Sequence, residues 1–526
     1  MGNETRLEST LNKKTSRRAL LAAGTAGAAA LSVAYVLGDR LLEEETDAGT
    51  VEAPATTIAQ DVAPSDETAR IDYLSDETAR ISHLLRRTGF GVTREEFDRY
   101  QAMGIEAATD EIINYETIAD DEAVELASRI DLEGRNPGLA IVWWLARIAN
   151  TRRPLQEKMT LFWHGLLTSQ ISVVRDPAAM VAQNEFLRAN ALGAFPDILK
   201  GISRDRAMMV YLDISGSPQS SPNENYAREL MELFSLGVGN FSEDDVRQAA
   251  RAFTGWRVPR QRSDNGRPIL LEPRFLPRQY DSGVKTVLGE TGDFGPDEIV
   301  EVIVRQPASA AFITEKLFEY FVYPEPDAAT LAPFIEAYDA SGRSIGATVE
   351  AMLHSEVFYS DRAYRALVKS PVEYAVGAVK ALGQQSSVSQ TLVTGYGRVL
   401  PRFLSQMGQT PFEPPNVAGW PGGASWLNSS TLFARLNLLN RLTATAGGGR
   451  ATDRRAEPPS QPDLGDLGTA GQALDHYLPL LLDDNISDES LATLRTYTGG
   501  PDTALNPSQL RDLVYLILAT PEFHLA

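Results

Sequence analysis

Residues 154–166 read PLQEKMTLFWHGL, and this stretch indicates the fold class most directly. Leu155, Met159 and Phe162 recur at helical spacing. The preceding Pro154 is favourable in the first turn of a helix. The same period continues along most of the chain, whereas strand patterns are sparse. We therefore predict a mainly α protein, built as one large multi-helix domain with a small β-hairpin excursion.

Helix boundaries are indicated on both sides of this stretch. Gly89 predicts the end of a first helix over residues 76–87, and Thr93 predicts the cap of the next one. Ser242, which three acidic residues follow, predicts the start of another helix. The β excursion is expected at about 268–289. Further helices are expected around residues 308–322, 346–358, 369–383, 427–444 and 505–519, and a flexible insertion at 446–466.

The composition limits the classes of function. The 526-residue chain has 49 Lys and Arg against 70 Asp and Glu, a formal net charge of −21. Such an acidic protein repels nucleic acid and anionic lipid, and its sequence shows no basic cluster beyond the N-terminus. It contains no cysteine, which excludes disulfides, thiolate nucleophiles and cysteine-ligated metal centres. We therefore do not expect nucleic-acid binding.

The first 75 residues are expected to precede the folded domain. Residues 16–21 read SRRALL and begin an uncharged, Ala- and Gly-rich segment that runs to Leu37, the pattern of a twin-arginine export signal. We interpret residues 1–42 as this signal, either cleaved or retained as an anchor. Residues 43–75 are interpreted as a flexible acidic linker, and 76–526 as the helical domain. The protein is thus expected in the periplasm, outside the cell, or attached to the membrane by its N-terminus.

Four segments have an unusual composition for a helical protein, and the first is the 154–166 helix itself. On this helix Glu157, Thr160 and His164 share one face, opposite the apolar stripe. Two interpretations of His164 are open. It is either a general base or metal ligand, or a histidine that is hydrogen-bonded at a helix end.

The second segment, residues 223–234, reads NENYARELMELF. A second charged helix follows it closely, with Arg247 and Arg251. Between packed helices these groups would form an ion-pair network, and in a cleft they would form a site, so the sequence leaves both interpretations open. Opposite the apolar stripe of the first helix, four polar residues fall within a narrow arc at i, i+3, i+4 and i+7: Asn225, Arg228, Glu229 and Glu232.

The third and fourth segments are loops. Residues 280–283 read YDSG, and Asp281 and Lys285 either face a cleft or form a turn with a neighbouring ion pair. Residues 411–423 read PFEPPNVAGWPGG and are followed by Trp426. So much proline and glycine holds a loop in one shape. Its tryptophans suit either stacking on sugar rings or plugging a helical core.

Six motifs in a fixed order carry a resemblance to a known family. They are HLLRRTGFG at 83–91, FWH at 162–164, the 223–234 helix, the segment 244–256, the segment 281–289 and PPNVAGWP at 414–421. Together they resemble a bacterial family catalogued as domain of unknown function 1800, over about residues 76–526. The resemblance implies an exported, largely helical protein without an assigned reaction, and it leaves the cofactor unknown.

The resemblance also has implications for metal ligands and partners. Relatives usually carry a second histidine where this chain has Leu166, and His-Asp where it has Tyr280 and Asp281. We therefore assign no metal ligand. Genes of the family often lie beside those of another exported family, domain of unknown function 1501, which resembles sulfatases and phosphatases. The resemblance thus implies an exported partner of that kind.

The leading hypothesis is an extracytoplasmic binding or assembly protein that acts with an exported partner or a cell-surface polymer. One alternative is an extracytoplasmic hydrolase, with glycans as a substrate class, in which carboxylates supply acid and base. The other alternative is a structural scaffold. The candidate catalytic residues are Glu224, Glu229, Glu232, His164 and Asp281. The candidate binding residues are Asn223, Asn225, Arg228, Arg251, Lys285, Asn416, Trp420 and Trp426.

Overall fold

The computed structural model describes residues 74, 76–132, 138–262, 266, 268–384, 399–443 and 467–526. The predicted export signal and the predicted 446–466 insertion lie outside these residues. The predicted linker also lies outside them, except for Leu74.

Helices account for most of the described residues, which confirms the mainly α prediction. No helix among them combines the length and apolar character that a membrane span requires. The first twelve are α1 (Glu77–Thr88), α2 (Arg94–Met103), α3 (Ile105–Ile113), α4 (Asp121–Ser128), α5 (Gly138–Asn150), α6 (Pro154–Leu166), α7 (Ile171–Val174), α8 (Pro177–Ala189), α9 (Phe195–Arg204), α10 (Arg206–Tyr211), α11 (Asn225–Glu232) and α12 (Glu243–Ala252). The others are α13 (Pro296–Val304), α14 (Pro307–Phe321), α15 (Ala328–Ala340), α16 (Ile345–Leu353), α17 (Pro371–Ala381), α18 (Val399–Gln406), α19 (Ser429–Thr443), α20 (Ala470–Leu482), α21 (Asp488–Thr498) and α22 (Pro507–Leu518).

Local contacts set the helix ends that the sequence indicates. α1 ends at Gly89, as predicted. Thr93 and Glu96 form a reciprocal capping box at the start of α2. Ser242 and Asp245 form a second capping box at the start of α12. In each box two N–H groups that the helix itself leaves unpaired receive side-chain acceptors.

Short strands lie between α12 and α13, where the sequence predicts the β excursion. They form three two-stranded antiparallel sheets within the described residues. However, the predicted stretches at 268–270 and 285–287 do not pair with each other. The pairs are β1 (Trp256–Arg257) with β4 (Arg274–Phe275), β2 (Arg260–Arg262) with β3 (Pro268–Leu270), and β5 (Lys285–Val287) with β6 (Glu290–Gly292).

A tight turn explains why β5 pairs with β6. Its central residues, Leu288 and Gly289, have φ angles of 48° and 83°, in the left-handed region that the favoured two-residue hairpin turns use. The N–H of Leu288 donates a hydrogen bond of 2.6 Å to the Asp245 carboxylate, which holds the turn against the start of α12. The chain therefore reverses directly after β5, and β5 pairs with the strand that follows it.

Helix α6 is buried on every side. All ten residues from Leu155 to His164 are buried, and they belong to a region where one continuous apolar cluster extends from Ile81 to Phe523. The polar face that the sequence places opposite the apolar stripe therefore lies inside the protein. Each polar group on this face needs a partner, because an unpaired buried polar group is destabilising.

Glu157 of α6 is neutralised by arginines from two other helices. Its carboxylate accepts hydrogen bonds from Arg188 Nε at 2.6 Å and from Trp144 Nε1 at 2.9 Å, and Arg147 Nε lies 3.5 Å away. Burial by itself raises the pKa of a carboxyl group. Here the two arginines outweigh burial and hold the pKa of Glu157 below its ordinary value. This ion pair fixes α5 and α8 against α6.

We expect Glu157→Gln to lower the free energy of unfolding by about 3 kcal/mol, the cost of breaking a buried ion pair on one side. The substitution leaves Arg188 and Arg147 buried with the partly exposed Glu185 as their remaining carboxylate. Urea denaturation of the purified protein, followed by circular dichroism, measures the change.

Glu336→Gln is the matched control for this measurement. Glu336 is exposed on α15, and replacing it should change the free energy of unfolding by less than about 0.5 kcal/mol. A Glu157→Gln effect as small as that of the control would show that the buried pair does not stabilise the fold.

Candidate functional site

The loop from Pro411 to Pro421, here called the Trp420 loop, is fastened to the C-terminal end of α6. Phe412 lies in it with a φ of 64°, a backbone conformation that bulky residues rarely adopt. The Phe412 N–H donates to His164 Nε2 at 3.0 Å, and its carbonyl accepts from the N–H of Ile171 at 2.9 Å. Its ring packs against those of Trp144 and His164. These contacts hold the strained residue in place.

The remainder of the Trp420 loop is held just as closely. Gly419 has a φ of 80°, and a Cβ atom there would lie 2.2 Å from the carbonyl oxygen of Gly165. Only glycine permits this approach of the loop to α6. The segment after α6 donates four hydrogen bonds to the loop. Two go to backbone carbonyls, from Gln170 Nε2 to Pro414 O at 2.5 Å and from Thr168 Oγ1 to Val417 O at 2.6 Å. The other two go from Ser172 to the Glu413 carboxylate, from Oγ at 2.5 Å and from the backbone N–H at 3.1 Å.

His164 is a neutral anchor for this loop. It is 1% exposed, and burial lowers its pKa to about 3. Because Nε2 accepts the Phe412 N–H, the proton of the neutral ring lies on Nδ1, and no lone pair is left for a metal or a substrate. Of its two interpretations, the structure favours the hydrogen-bonded histidine. No three His, Asp or Glu side chains in the described part of the chain are grouped so that they could hold a metal ion.

Trp420 and Tyr211 are both partly exposed aromatic residues, and the ring of Trp420 packs edge-on against that of the buried His164, with the centroids 5.6 Å apart. Thr168 connects the two, because its hydroxyl binds the Trp420 loop and its side chain also hydrogen-bonds to Tyr211. Burial raises the pKa of Tyr211 despite that bond, and the carboxylates of Glu413 and Glu229 raise it further. We call Tyr211, Glu229, Glu413 and Trp420 the Trp420 surface.

The polar arc of α11 divides between two neighbours. Arg228 turns to the start of α12, where its Nη1 and Nη2 donate to both carboxylate oxygens of Glu243 at 2.8 and 2.7 Å. Glu224 lies 3.7 Å from the same guanidinium. Such a two-pronged pair fixes orientation as well as charge. Arg228 and Glu224 therefore belong to an ion-pair network that joins α11 to α12, rather than to a free site.

Glu229, on the next position of α11, is in a different situation. Its partly buried carboxylate has no hydrogen-bond or ion-pair partner among the described residues, and neither has that of Glu232. Burial raises the pKa of Glu229, and the charge of Glu232 raises it further. A carboxyl group with a raised pKa beside a second carboxylate is the arrangement that acid–base catalysis by carboxylates requires.

The turn at 280–285 is a closed ion-pair unit, and its main partner comes from α12. Arg251 Nε and Nη2 donate to the two oxygens of Asp281 at 2.8 and 2.9 Å, and this arginine lowers the pKa of Asp281. The Asp281 carboxylate also accepts the Gly283 N–H at 2.9 Å. Lys285 is fully buried, and its Nζ donates to the Gly283 carbonyl at 2.9 Å. Of the two interpretations of Asp281 and Lys285, the structure thus favours a turn held by an ion pair over a pair of residues that face a cleft.

The remaining candidate binding residues shape the backbone or fill the core. Asn223 Oδ1 accepts the Asn225 N–H at 2.9 Å where α11 begins. Asn416 Oδ1 accepts the Ala418 N–H at 2.9 Å within the Trp420 loop. Trp426 is 6% exposed and packs beside Gly408. Of the two tryptophans after Pro411, Trp426 plugs the core and Trp420 reaches the surface.

Distant segments therefore come together only in part as the sequence suggests. His164 contacts the Trp420 loop directly, and Glu229 is linked to it only through Tyr211, whose pKa it raises and which hydrogen-bonds to Thr168. Asp281, Arg251 and Lys285 form a separate unit. Tyr211 and Glu413 were not among the site residues predicted from the sequence. Glu413 lies inside the Pro- and Gly-rich loop at 411–423, and a carboxylate within that loop could have been predicted as a site residue. Tyr211 follows an apolar run, and nothing in its local sequence distinguishes it from a core residue.

Stability should fall as the pH decreases from 6.5 toward 3, because His164 stays neutral in the folded protein but takes up a proton once unfolded. This residue contributes a slope of about 1.4 kcal/mol per pH unit in that window. His164→Gln keeps an acceptor for the Phe412 N–H and cannot titrate. The free energy of unfolding of this variant is measured by urea titration at several pH values from 6.5 down to about 5. It should decrease less steeply with falling pH than that of the wild type, by about 1.4 kcal/mol per pH unit. Equal slopes in the two proteins would contradict the assignment.

Comparison with known proteins agrees with the motifs. The family model described as Protein of unknown function (DUF1800) matches residues 83–525. No curated protein and no solved structure matches the chain. The matched range contains α6, the Trp420 loop and the turn at 280–285. It covers most of the chain, so this protein belongs to the DUF1800 family.

Proposed function

We propose that this protein is an exported glycan-binding protein that holds a cell-surface polymer on the Trp420 surface. The observation that carries the proposal is the anchoring of Trp420, which stands on a strained and multiply hydrogen-bonded loop. A surface that is already ordered loses little conformational entropy when it binds. The rings of Trp420 and Tyr211 combine apolar faces with polar edges. The carboxylates of Glu229 and Glu413 can accept hydrogen bonds from sugar hydroxyls.

The charge of the protein narrows the class of polymer. The formal net charge is −21, and the Trp420 surface itself carries two carboxylates. A polymer rich in phosphate or uronic acid would be repelled at long range. We therefore propose a neutral glycan as the ligand.

The export part of the proposal rests on the sequence. The twin-arginine pattern within residues 1–42 is typical of proteins that cross the membrane after folding. A cysteine-free chain suits this route, because it completes its fold without disulfides in a reducing compartment. We place the protein in the periplasm, outside the cell, or anchored by its N-terminus. The exported partner of the 1501 family stays a prediction from the resemblance.

Trp420→Ala should weaken retention on insoluble neutral polysaccharide at least tenfold, since loss of one stacked aromatic ring removes about 1.4 kcal/mol or more of binding free energy. Depletion of the purified protein from solution by cellulose, chitin and cell-wall preparations measures retention. The substitution removes the contact between the rings of Trp420 and His164. The loop should still stay folded, because the hydrogen bonds from His164 and from the segment after α6 remain.

Trp256→Ala is the matched control, since Trp256 is also a partly exposed tryptophan but lies in β1. This variant should be retained like the wild type. If the wild-type protein binds none of the polymers, or if both variants lose retention equally, the Trp420 surface is not a glycan site.

A second candidate function, glycan hydrolysis, is favoured by one observation. Glu229 has a raised pKa, has no partner among the described residues and lies one helical turn from Glu232. A pair of carboxyl groups, one to donate and one to accept a proton, is the minimum for acid–base cleavage of a glycosidic bond.

Release of reducing ends from soluble glycans separates binding from hydrolysis. Under the binding proposal, neither the wild type nor Glu229→Gln releases reducing ends. Under the alternative, the wild type releases reducing ends and Glu229→Gln loses about 100-fold or more of the rate. Glu336→Gln, at an exposed position of α15, controls for the loss of one negative charge.

A further inference from the structure

A cavity of about 30 Å³ lies between α1, α17, α20 and the C-terminal segment at Phe523. Its polar lining consists of Ser82 and Arg86 from α1 and of Lys369 and Glu373 at the start of α17. Its volume is about twice the ~15 Å³ that one water molecule needs. The enclosed space therefore holds about two water-sized groups, and a larger ligand has to extend through the partly exposed rim at Arg86, Val92 and Glu373.

Close packing of two glycines places α1 against α17 at this cavity. Gly91 has a φ of 81°, and a Cβ atom there would lie 2.7 Å from the Cα of Gly377. Both glycines line the cavity. Three other lining residues, Arg86, Val92 and Glu373, are partly exposed. The cavity is thus near the surface rather than deep in the core.

The polar side chains of the lining have unused donors. Arg86 pairs with Asp483 through Nη1, but its Nε and Nη2 are buried and have no partner among the described residues. These two N–H groups lie on one edge of the guanidinium, spaced to bind two oxygens of one oxyanion. The Ser82 hydroxyl is 4% exposed and also has no partner. Lys369 Nζ donates to the carbonyl of Phe523 at 2.9 Å.

The surroundings contain an excess of positive charge. The Glu373 carboxylate in the lining is engaged by Lys158 and the Ser370 N–H, and the Asp483 carboxylate beside Arg86 is engaged by both Arg86 and Arg365. Burial lowers the pKa of Lys369 well below its ordinary value, and the charges of Arg86 and Arg365 lower it further. Buried charges without counter-charges are unfavourable. The cations around the cavity are Arg86 and Arg365, which share Asp483, Lys158, which pairs with Glu373, and Arg87 and Arg435, which have no carboxylate partner among the described residues.

We propose that this cavity binds a phosphate-type oxyanion. The Nε–Nη2 edge of Arg86 holds two of its oxygens, and Ser82 and Lys369 donate to the others. A tetrahedral dianion offers enough acceptors for all these donors. It also offsets more of the buried positive charge than a water molecule or a single carboxylate does. This site is separate from the Trp420 surface, and its test does not depend on the proposed glycan binding.

Inorganic phosphate is the probe for the test, with sodium chloride at equal ionic strength as the reference. Phosphate should raise the midpoint of thermal unfolding progressively with its concentration, as any ligand specific to the folded state does. Isothermal titration calorimetry gives the affinity. Glycerol phosphate and sodium acetate are titrated alongside. Binding of either phosphate compound supports the site. Comparing the two affinities shows whether the site prefers the free ion or a phosphate group on a larger molecule.

Two substitutions test the donors. Arg86→Lys keeps the charge but loses the two-pronged edge, and Ser82→Ala removes one hydroxyl. Each should weaken phosphate binding about tenfold, the value of a hydrogen bond to a charged group. Ser309→Ala is the matched control, because that serine is also fully buried with an unpartnered hydroxyl but lies in α14. It should bind phosphate as the wild type does.

Three results would overturn the proposal. These are the absence of any effect of phosphate beyond that of chloride, stronger binding of acetate than of phosphate, and equal phosphate affinity in wild type and Ser82→Ala. The Ser82→Ala variant carries the test even if Arg86→Lys fails to fold, since it leaves the pair with Asp483 intact.

Discussion

The burial of α6 on every side is the constraint on which the rest of the structure depends. Three of its polar side chains lie inside the protein, and each is paired with a different part of the chain. Glu157 pairs with Arg188 of α8, Lys158 pairs with Glu373 of α17, and His164 accepts the N–H of Phe412. Because an unpaired buried group is costly, these contacts determine where two helices and the Trp420 loop lie.

The buried helix supports both candidate sites, one directly and the other through a residue of its lining. His164, at its C-terminal end, supports the loop that presents Trp420. Lys158, near its middle, pairs with the Glu373 carboxylate. Without this pair, Glu373 would be an uncompensated negative charge in the wall of the cavity. Sites carried by packed helices hold their geometry more precisely than sites carried by loops alone. Here the loop obtains a comparable rigidity, because it is tied at many points to α6 and to the segment that follows it.

Sequence reasoning succeeded where the physics is local. Helical period, the stop at Gly89 and the cap at Thr93 depend on residues a few positions apart, and the structure confirms them. Partners distant in sequence were not predictable. The group that faces His164 is the Phe412 N–H, 248 positions away, and Asp281 pairs with Arg251 rather than with its near neighbour Lys285. The cation-lined cavity left no local signal, because four separate stretches of chain build it.

The distribution of charge separates the two proposed ligands. Among the described residues, eight Lys and Arg are buried against three Asp and Glu, so the surface is more acidic than the net charge of −21 implies. At physiological salt this field is screened beyond about 8 Å. A small anion that reaches the cavity is therefore held by its immediate donors, while a long anionic polymer meets repulsion along its whole length. A neutral glycan carries no charge and is not repelled, and the partly exposed rings of Trp420 and Tyr211 can bind it without any countercharge.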